Sequence, residues 1–258
     1  MLLTIDVGNT ETKLGCFESG NDRPRHMWRV TTDLHRTADE YGAFFTQLFA
    51  TDGVGVRAID AVAIASVVPK LDPALESVCA RFFGVAPSFL RPETQAIIPI
   101  RTEYPAESGA DLVAAAIGAR ERFGAPLIVV SFGTATAFIA ISEGGEYLGV
   151  AIAPGITISI DALVGRTAKL PQIALETPKR AIGRTTIEAL QSGIVYGFVG
   201  QTEAIVARMR GELGAPAKVI ATGGLADIVA KQTAIVDAVD PHLSLAGLRL
   251  FHASLPRP

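Results

Sequence analysis

Cysteine is scarce in this chain: its 258 residues hold only Cys16 and Cys79, far apart and with no Cys-x-x-Cys spacing. That argues against a disulfide framework or a thiolate zinc site and fits a reducing, cytoplasmic location. Four scattered histidines (His26, His35, His242 and His252) form no metal-ligand pattern. No charge sign dominates, since 23 Lys and Arg oppose 26 Asp and Glu for a net charge of −3. Without a basic stripe, no nucleic-acid partner is expected. No uncharged apolar run of the ~18 residues that a membrane span needs is present, and Met1–Thr10 lacks the basic flank and apolar core of a signal peptide. No membrane partner is expected either.

What remains is a folded α/β composition, 49% hydrophobic and 19% charged, enough for one large domain or two small ones. Strand patterns run from Leu2 to Val7 and from Thr12 to Phe17, joined by the turn residues Gly8-Asn9-Thr10. A third strand is predicted near Met27 to Thr31. A helix from Thr37 to Ala50 follows, capped by Thr37, with Phe44, Phe45 and Leu48 on one face. Ala58 to Val67 reads as a buried strand closed by Pro69, and Asp72 to Phe83 as a helix with Pro73 in its first turn. Ser108-Gly109-Ala110-Asp111 opens an alanine-rich helix to Phe123. Gly124-Ala125-Pro126 then breaks it, predicting lobes of 1–124 and 125–258.

After the break, Leu127 to Phe132 and Ala137 to Ser142 form a second strand pair around Gly133-Thr134-Ala135-Thr136. Superposing Gly133 on Gly8 sets Ser131 over Asp6 and Thr134 over Asn9. The echo predicts a duplication, with each lobe offering a Gly/Thr hairpin to a shared cleft. Such hairpins suit a triphosphate: glycine admits close backbone approach, successive N–H groups nest an anion, and Asn or Thr adds donors. Lys13 adds a cation, and Asp6 at its strand end can hold hydrated Mg²⁺. Either hairpin taken singly also reads as a simple turn, as does Gly223-Gly224 after the strand Ala217 to Ala221. Asp111, in the first turn of its helix, reads either as a cap or as a carboxylate held anionic by the helix dipole, hence a weak base.

These pieces, in order, resemble the type III pantothenate kinases. The resemblance runs through Ile5 to Thr10 with Lys13, Ser66 to Pro69, Gly109 to Asp111 and Phe132 to Thr136. It continues through Ala153 to Ile156, Ala168 to Pro171, Ile182-Gly183 with Thr186, Gln191 to Gly197, Ala221 to Ala226 and Leu243 to Leu248. It implies a homodimer with a duplicated ribonuclease-H-like (actin-like ATPase) fold, two lobes of mixed sheet flanked by helices. It also implies ATP-dependent phosphorylation of pantothenate to 4′-phosphopantothenate, the first step of coenzyme A biosynthesis, with Mg²⁺ and a monovalent cation (K⁺ or NH₄⁺). By the same resemblance, Asp6 organises Mg²⁺ and Asp111 is the base. Gly8, Asn9, Thr10, Lys13, Gly133, Thr134, Ala135, Thr136, Gly223 and Gly224 serve ATP, while Gly109, Ala110, Asp111, Leu112 and a partner subunit's Thr186 serve pantothenate.

Two positions depart from the family pattern. Leu112 stands where the family carries an Arg, so a bidentate guanidinium for the pantothenate carboxylate is missing. Arg101, Arg120 and Arg184 are candidates to replace it. Ser131 stands where an Asp is associated with the monovalent cation, so weaker cation binding is expected. A second reading follows from these losses: a catalytically weak homologue acting as a regulatory or accessory binding protein, as the related Bvg accessory factors do.

Overall fold

The computed structural model describes residues 1–256, which divide into two compact units. The first comprises Met1–Glu121 and the segment from His242 onward; the second comprises Arg122–Pro241.

In the first unit, β1 (Leu2–Val7), β2 (Glu11–Phe17), β3 (His26–Thr31), β4 (Ala61–Ser66) and β5 (Pro87–Phe89) form one sheet in the order β3-β2-β1-β4-β5. The β1/β2 and β2/β3 pairs are antiparallel; β1/β4 and β4/β5 are parallel. Helix α1 (Ala38–Thr51) starts in a capping box, with Thr37 Oγ1 accepting from Glu40 N and the Glu40 carboxylate accepting from Thr37 N. Its buried stripe is Tyr41, Phe45 and Phe49 at four-residue spacing. Phe44 and Leu48 lie half-buried at the margin of the predicted face, one residue out of phase with the core. Helix α2 (Asp72–Val78) passes into a π-helical turn, Cys79–Phe83, so the predicted segment is helical throughout. The strand predicted from Ala58 begins only at Ala61, because residues 56–58 form a 3₁₀ turn.

Helix α3 (Ala110–Phe123) buries Val113 to Ala119 almost continuously. Through Gly118 it meets the last helix of the chain.

In the second unit, β6 (Leu127–Phe132), β7 (Ala135–Ile141), β8 (Tyr147–Pro154), β9 (Lys218–Thr222) and β10 (Ala238–Val239) form a second sheet, ordered β10-β9-β6-β7-β8. Helices α4 (Ile156–Gly165), α5 (Thr186–Leu213) and α6 (Ala226–Ala230) complete it. Written from its far edge, this order is β8-β7-β6-β9-β10, matching the first sheet strand for strand and direction for direction. The duplication read from one pair of hairpins therefore extends over all five strands. Among the described residues no helix is long and apolar enough to cross a membrane.

The predicted lobe of 125–258 requires a correction. Helix α7 (Leu243–Ser254) belongs to the first unit, where it packs on β1, β2 and β4 through Leu243, Leu245 and Leu248. Sequence proximity misplaces it because its apolar face is complementary to a sheet whose last strand ended at Phe89, far earlier in the chain. Its contact with α3 leaves no room for side chains. A Cβ on Gly118 would lie 2.2 Å from the carbonyl oxygen of Leu243, and one on Gly247 would lie 1.8 Å from that of Ala114.

These obstacles are backbone atoms, so neither helix can yield locally. Gly247→Ala is expected to destabilise the protein by about 1–3 kcal/mol, the usual range for overpacking, as a lower urea midpoint with an unchanged slope.

Candidate active site

Asp6 is the last-but-one residue of β1, 5% exposed, and faces Lys13 across the β1/β2 pair. Lys13 Nζ lies 3.5 Å from Asp6 Oδ2. The same oxygen accepts a 2.6 Å hydrogen bond from Ser244 Oγ at the start of α7. Gly8, Asn9 and Thr10 connect the two strands, with Asn9 and Thr10 exposed. Gly8 N donates to Glu11 O, and a Cβ at Gly8 would sit 2.9 Å from that same carbonyl oxygen, so glycine is required for the tight return. Thr32, just past β3, braces the loop from behind: its hydroxyl donates to Gly8 O at 2.7 Å and its N–H donates to Thr10 O at 3.0 Å.

Asp111 occupies the first turn of α3 and is half-buried. Its Oδ1 accepts from Leu112 N at 2.8 Å. The carboxylate folds over Gly109 so closely that a Cβ there would approach Oδ1 to 2.6 Å. Burial, and next the negative charge of Asp6, push the Asp111 pKa up to about 6 against its hydrogen bond from Leu112 and the charge of Lys13. The expectation of a weak base is therefore corrected. The helix N-terminus does favour the anion, but removal from water beside a second carboxylate outweighs it. Asp6, Lys13 and Asp111 thus share one electrostatic environment, at the root of the Gly-Asn-Thr loop.

Ala110 is buried and Leu112 half-buried beside Asp111. Arg120 donates to Ile97 O at 2.8 Å, so it holds the loop before α3. Arg101 and Arg184 are exposed, Arg184 in the second unit.

In the second unit the turn is tighter than predicted. Val7 pairs with Thr12 across a four-residue connection, whereas Phe132 pairs with Thr136 across three residues. Ala135 and Thr136 consequently belong to β7. Thr136 is 1% exposed and its hydroxyl donates to Pro154 O, which removes it as an exposed phosphate donor. Gly133 and Thr134 form the exposed tip. Gly223, at φ 97°, lies against Phe132 O, which a Cβ would meet at 2.3 Å; Gly224 is exposed next to it. Ser131 pairs with Ala137 and Thr222. At the positions equivalent to Asp6 and Lys13, the second unit therefore carries Ser131 and Ala137. Thr186 is the exposed first residue of α5, beside the cap formed by Thr185 Oγ1 and Glu188 N.

Ser244 was missed as a separate site residue. No local signal marks it, because its partner lies 238 positions away. Among the described residues no group of three or more His, Cys, Asp or Glu could cage a metal. A groove of about 610 Å³ beside β3 and α1 contains none of the predicted site residues, although Thr32 lines it, and its Arg29 and Arg36 are already paired with Glu11 and Asp33.

The type III pantothenate kinase family profile matches residues 2–208. The chain belongs to that family. A type III pantothenate kinase of Moorella thermoacetica is 48% identical over 252 residues, covering 98% of each chain. Solved structures extend the fold further. One, described as a Baf family transcriptional activator from Campylobacter jejuni, aligns with a TM-score of 0.62 at 18% identity over 97% of each chain. The polyphosphate/ATP-glucomannokinase of Arthrobacter sp. strain KM aligns at 0.50 and 14% over 98% of each. The architecture is the duplicated ribonuclease-H-like fold.

The raised Asp111 pKa has a sign that can be tested. A carboxyl that ionises near 6 when folded and near 3.8 when unfolded costs the native state stability as pH rises through that window. Asp111→Asn, which keeps the acceptor for Leu112 N, should be more stable than wild type above pH 6, with the gap closing toward pH 4. Urea midpoints across that range measure it.

Proposed function

We propose that this chain transfers the γ-phosphoryl group of ATP to the terminal hydroxyl of pantothenate, giving ADP and 4′-phosphopantothenate in the first step of coenzyme A biosynthesis. The observation that carries this reading is Asp111, a partly buried carboxylate with a pKa near 6 beside Asp6 and Lys13, in a chain belonging to this family. A base with that pKa is ionised at neutral pH and still able to accept a proton. Asp111 takes the hydroxyl proton as the new O–P bond forms and the bond to the ADP oxygen breaks. Lys13 and polar groups of the Gly8-Asn9-Thr10 loop neutralise charge on the transferring group, which is where kinases gain most of their rate. By family membership, Gly133, Thr134, Ala135, Gly223 and Gly224 serve the nucleotide.

Asp6 fits Mg²⁺. This ion is ordinarily held by one or two carboxylates together with substrate phosphates and water, so the single buried carboxylate of Asp6 suits it. When bound, it supplies charge neutralisation at the phosphates. At Ser131 the donors are neutral hydroxyls, including Thr222 in register, and we propose that a monovalent cation binds there weakly. Leu112 leaves the pantothenate carboxylate without the family's guanidinium, and Arg120 is occupied by Ile97 O.

We further propose a homodimer in a reducing cytoplasm. Leu148, Val150 and Ile152 expose one face of β8, and Ile158 and Leu163 are exposed on α4, an apolar surface of the kind that subunits cover. In that assembly Thr186 serves the other subunit's pantothenate. Both cysteines are free and buried.

Purified protein with ATP, Mg²⁺, K⁺ and pantothenate should form 4′-phosphopantothenate, with an acid limb near pH 6. Asp111→Asn should lower kcat by about 10²–10⁴, and Leu112→Arg should lower KM for pantothenate roughly 10-fold. Nucleotide binding with no turnover at any pH would sink the kinase reading. By sedimentation, wild type should run as a dimer and Ile152→Asp as a monomer.

A further inference from the structure

We propose that Ser244 is a positioning residue for the phosphoryl-transfer site, holding the Asp6 carboxylate in the orientation in which it meets Mg²⁺. The inference rests on the reading of Asp6 as the magnesium carboxylate.

Both side chains are almost wholly buried, Asp6 at 5% and Ser244 at 7% exposure. Their hydrogen bond is 2.6 Å, whereas Lys13 Nζ stands 3.5 Å from the same oxygen. The two partners therefore do different things. Lys13 supplies charge at a distance longer than a charge-assisted hydrogen bond, while the hydroxyl makes the short directional contact. A carboxylate turns about its last torsion in a broad, roughly two-fold well. One short bond from a rigid donor chooses the orientation. With both contacts on Oδ2, the other oxygen, Oδ1, is the one on which neither partner lies.

The donor is rigid because its helix is. Leu243 and Leu245, on either side of Ser244, are buried, and Gly247 sits against the Ala114 carbonyl. Ser244 is in the first turn of α7, where serine more often accepts from its own helix N–H groups. Here it donates to a strand 238 residues away. Residues that hydrogen-bond a metal-binding carboxylate orient it, and losing one typically costs 10–100-fold in metal affinity.

A merely structural serine would satisfy the buried Asp6 and affect folding alone. The test is Mg²⁺-dependent binding of a non-hydrolysable ATP analogue by calorimetry, with melting temperatures measured alongside. Ser244→Ala should weaken apparent Mg²⁺ affinity about 10-fold or more and leave binding of the metal-free analogue nearly unchanged. Ser244→Cys fills the same space with a poor donor and should behave alike, even if the alanine variant folds poorly. Ser244→Thr should restore the wild-type curve. If the alanine and cysteine variants melt lower yet keep the wild-type Mg²⁺ curve, the proposal is overturned. Asp6→Asn separates the two failures. If it abolishes the Mg²⁺ effect while the serine variants retain it, only the role of Ser244 falls. If Asp6→Asn also retains it, the magnesium role of Asp6 falls, and that of Ser244 with it.

Discussion

The backbone contact between α3 and α7 is the constraint on which the candidate site depends. Gly118 and Gly247 let each helix approach the other's carbonyls at a distance that excludes even a methyl group. Helix α3 brings Asp111 in its first turn, and α7 brings Ser244 in its own. A pair of helices at ordinary separation would keep side chains between them and could slide by a rotamer change. Two helices in backbone contact have no such freedom. The Asp111 carboxylate and the hydroxyl on Asp6 are therefore placed by one rigid packing event.

Electrostatics then divides the labour between two carboxylates. Asp6 is matched by a lysine and a hydroxyl, and Asp111 by backbone N–H groups and partial burial beside Asp6. Pairs of acids pushed into unlike surroundings separate into different roles. Asp6, held by Lys13 and Ser244, suits a carboxylate of set orientation, and Asp111, with its pKa raised to about 6, suits a group that gains and loses a proton.

The second unit repeats the scaffold without the charge. Its five strands follow the order and directions of the first, but Ser131 and Ala137 occupy the places of Asp6 and Lys13, and the connection is one residue shorter. The glycines are kept where backbone meets backbone, as at Gly223 against Phe132 and Gly155 against Thr134. What survives is the shape of the loop, while the charged Asp6–Lys13 pair is confined to the first unit.

Local chemistry made much of this legible in advance. The Gly8-Asn9-Thr10 turn, the Thr37 cap, Pro73 in a first helical turn and the apolar strand runs around both hairpins depend on neighbours within a few residues, and one chain of letters carries them. The duplication was also visible, because both hairpins join two apolar strands through a glycine- and threonine-bearing turn. The phase of α1, the shortened second hairpin and the burial of Thr136 depend on which face meets a core. The placement of α7, the Ser244–Asp6 bond and the upward pKa of Asp111 depend on residues more than a hundred positions apart. Hydrophobic matching of α7 to the first sheet can be read only once both surfaces exist, and the water that Asp111 loses is excluded by folding itself.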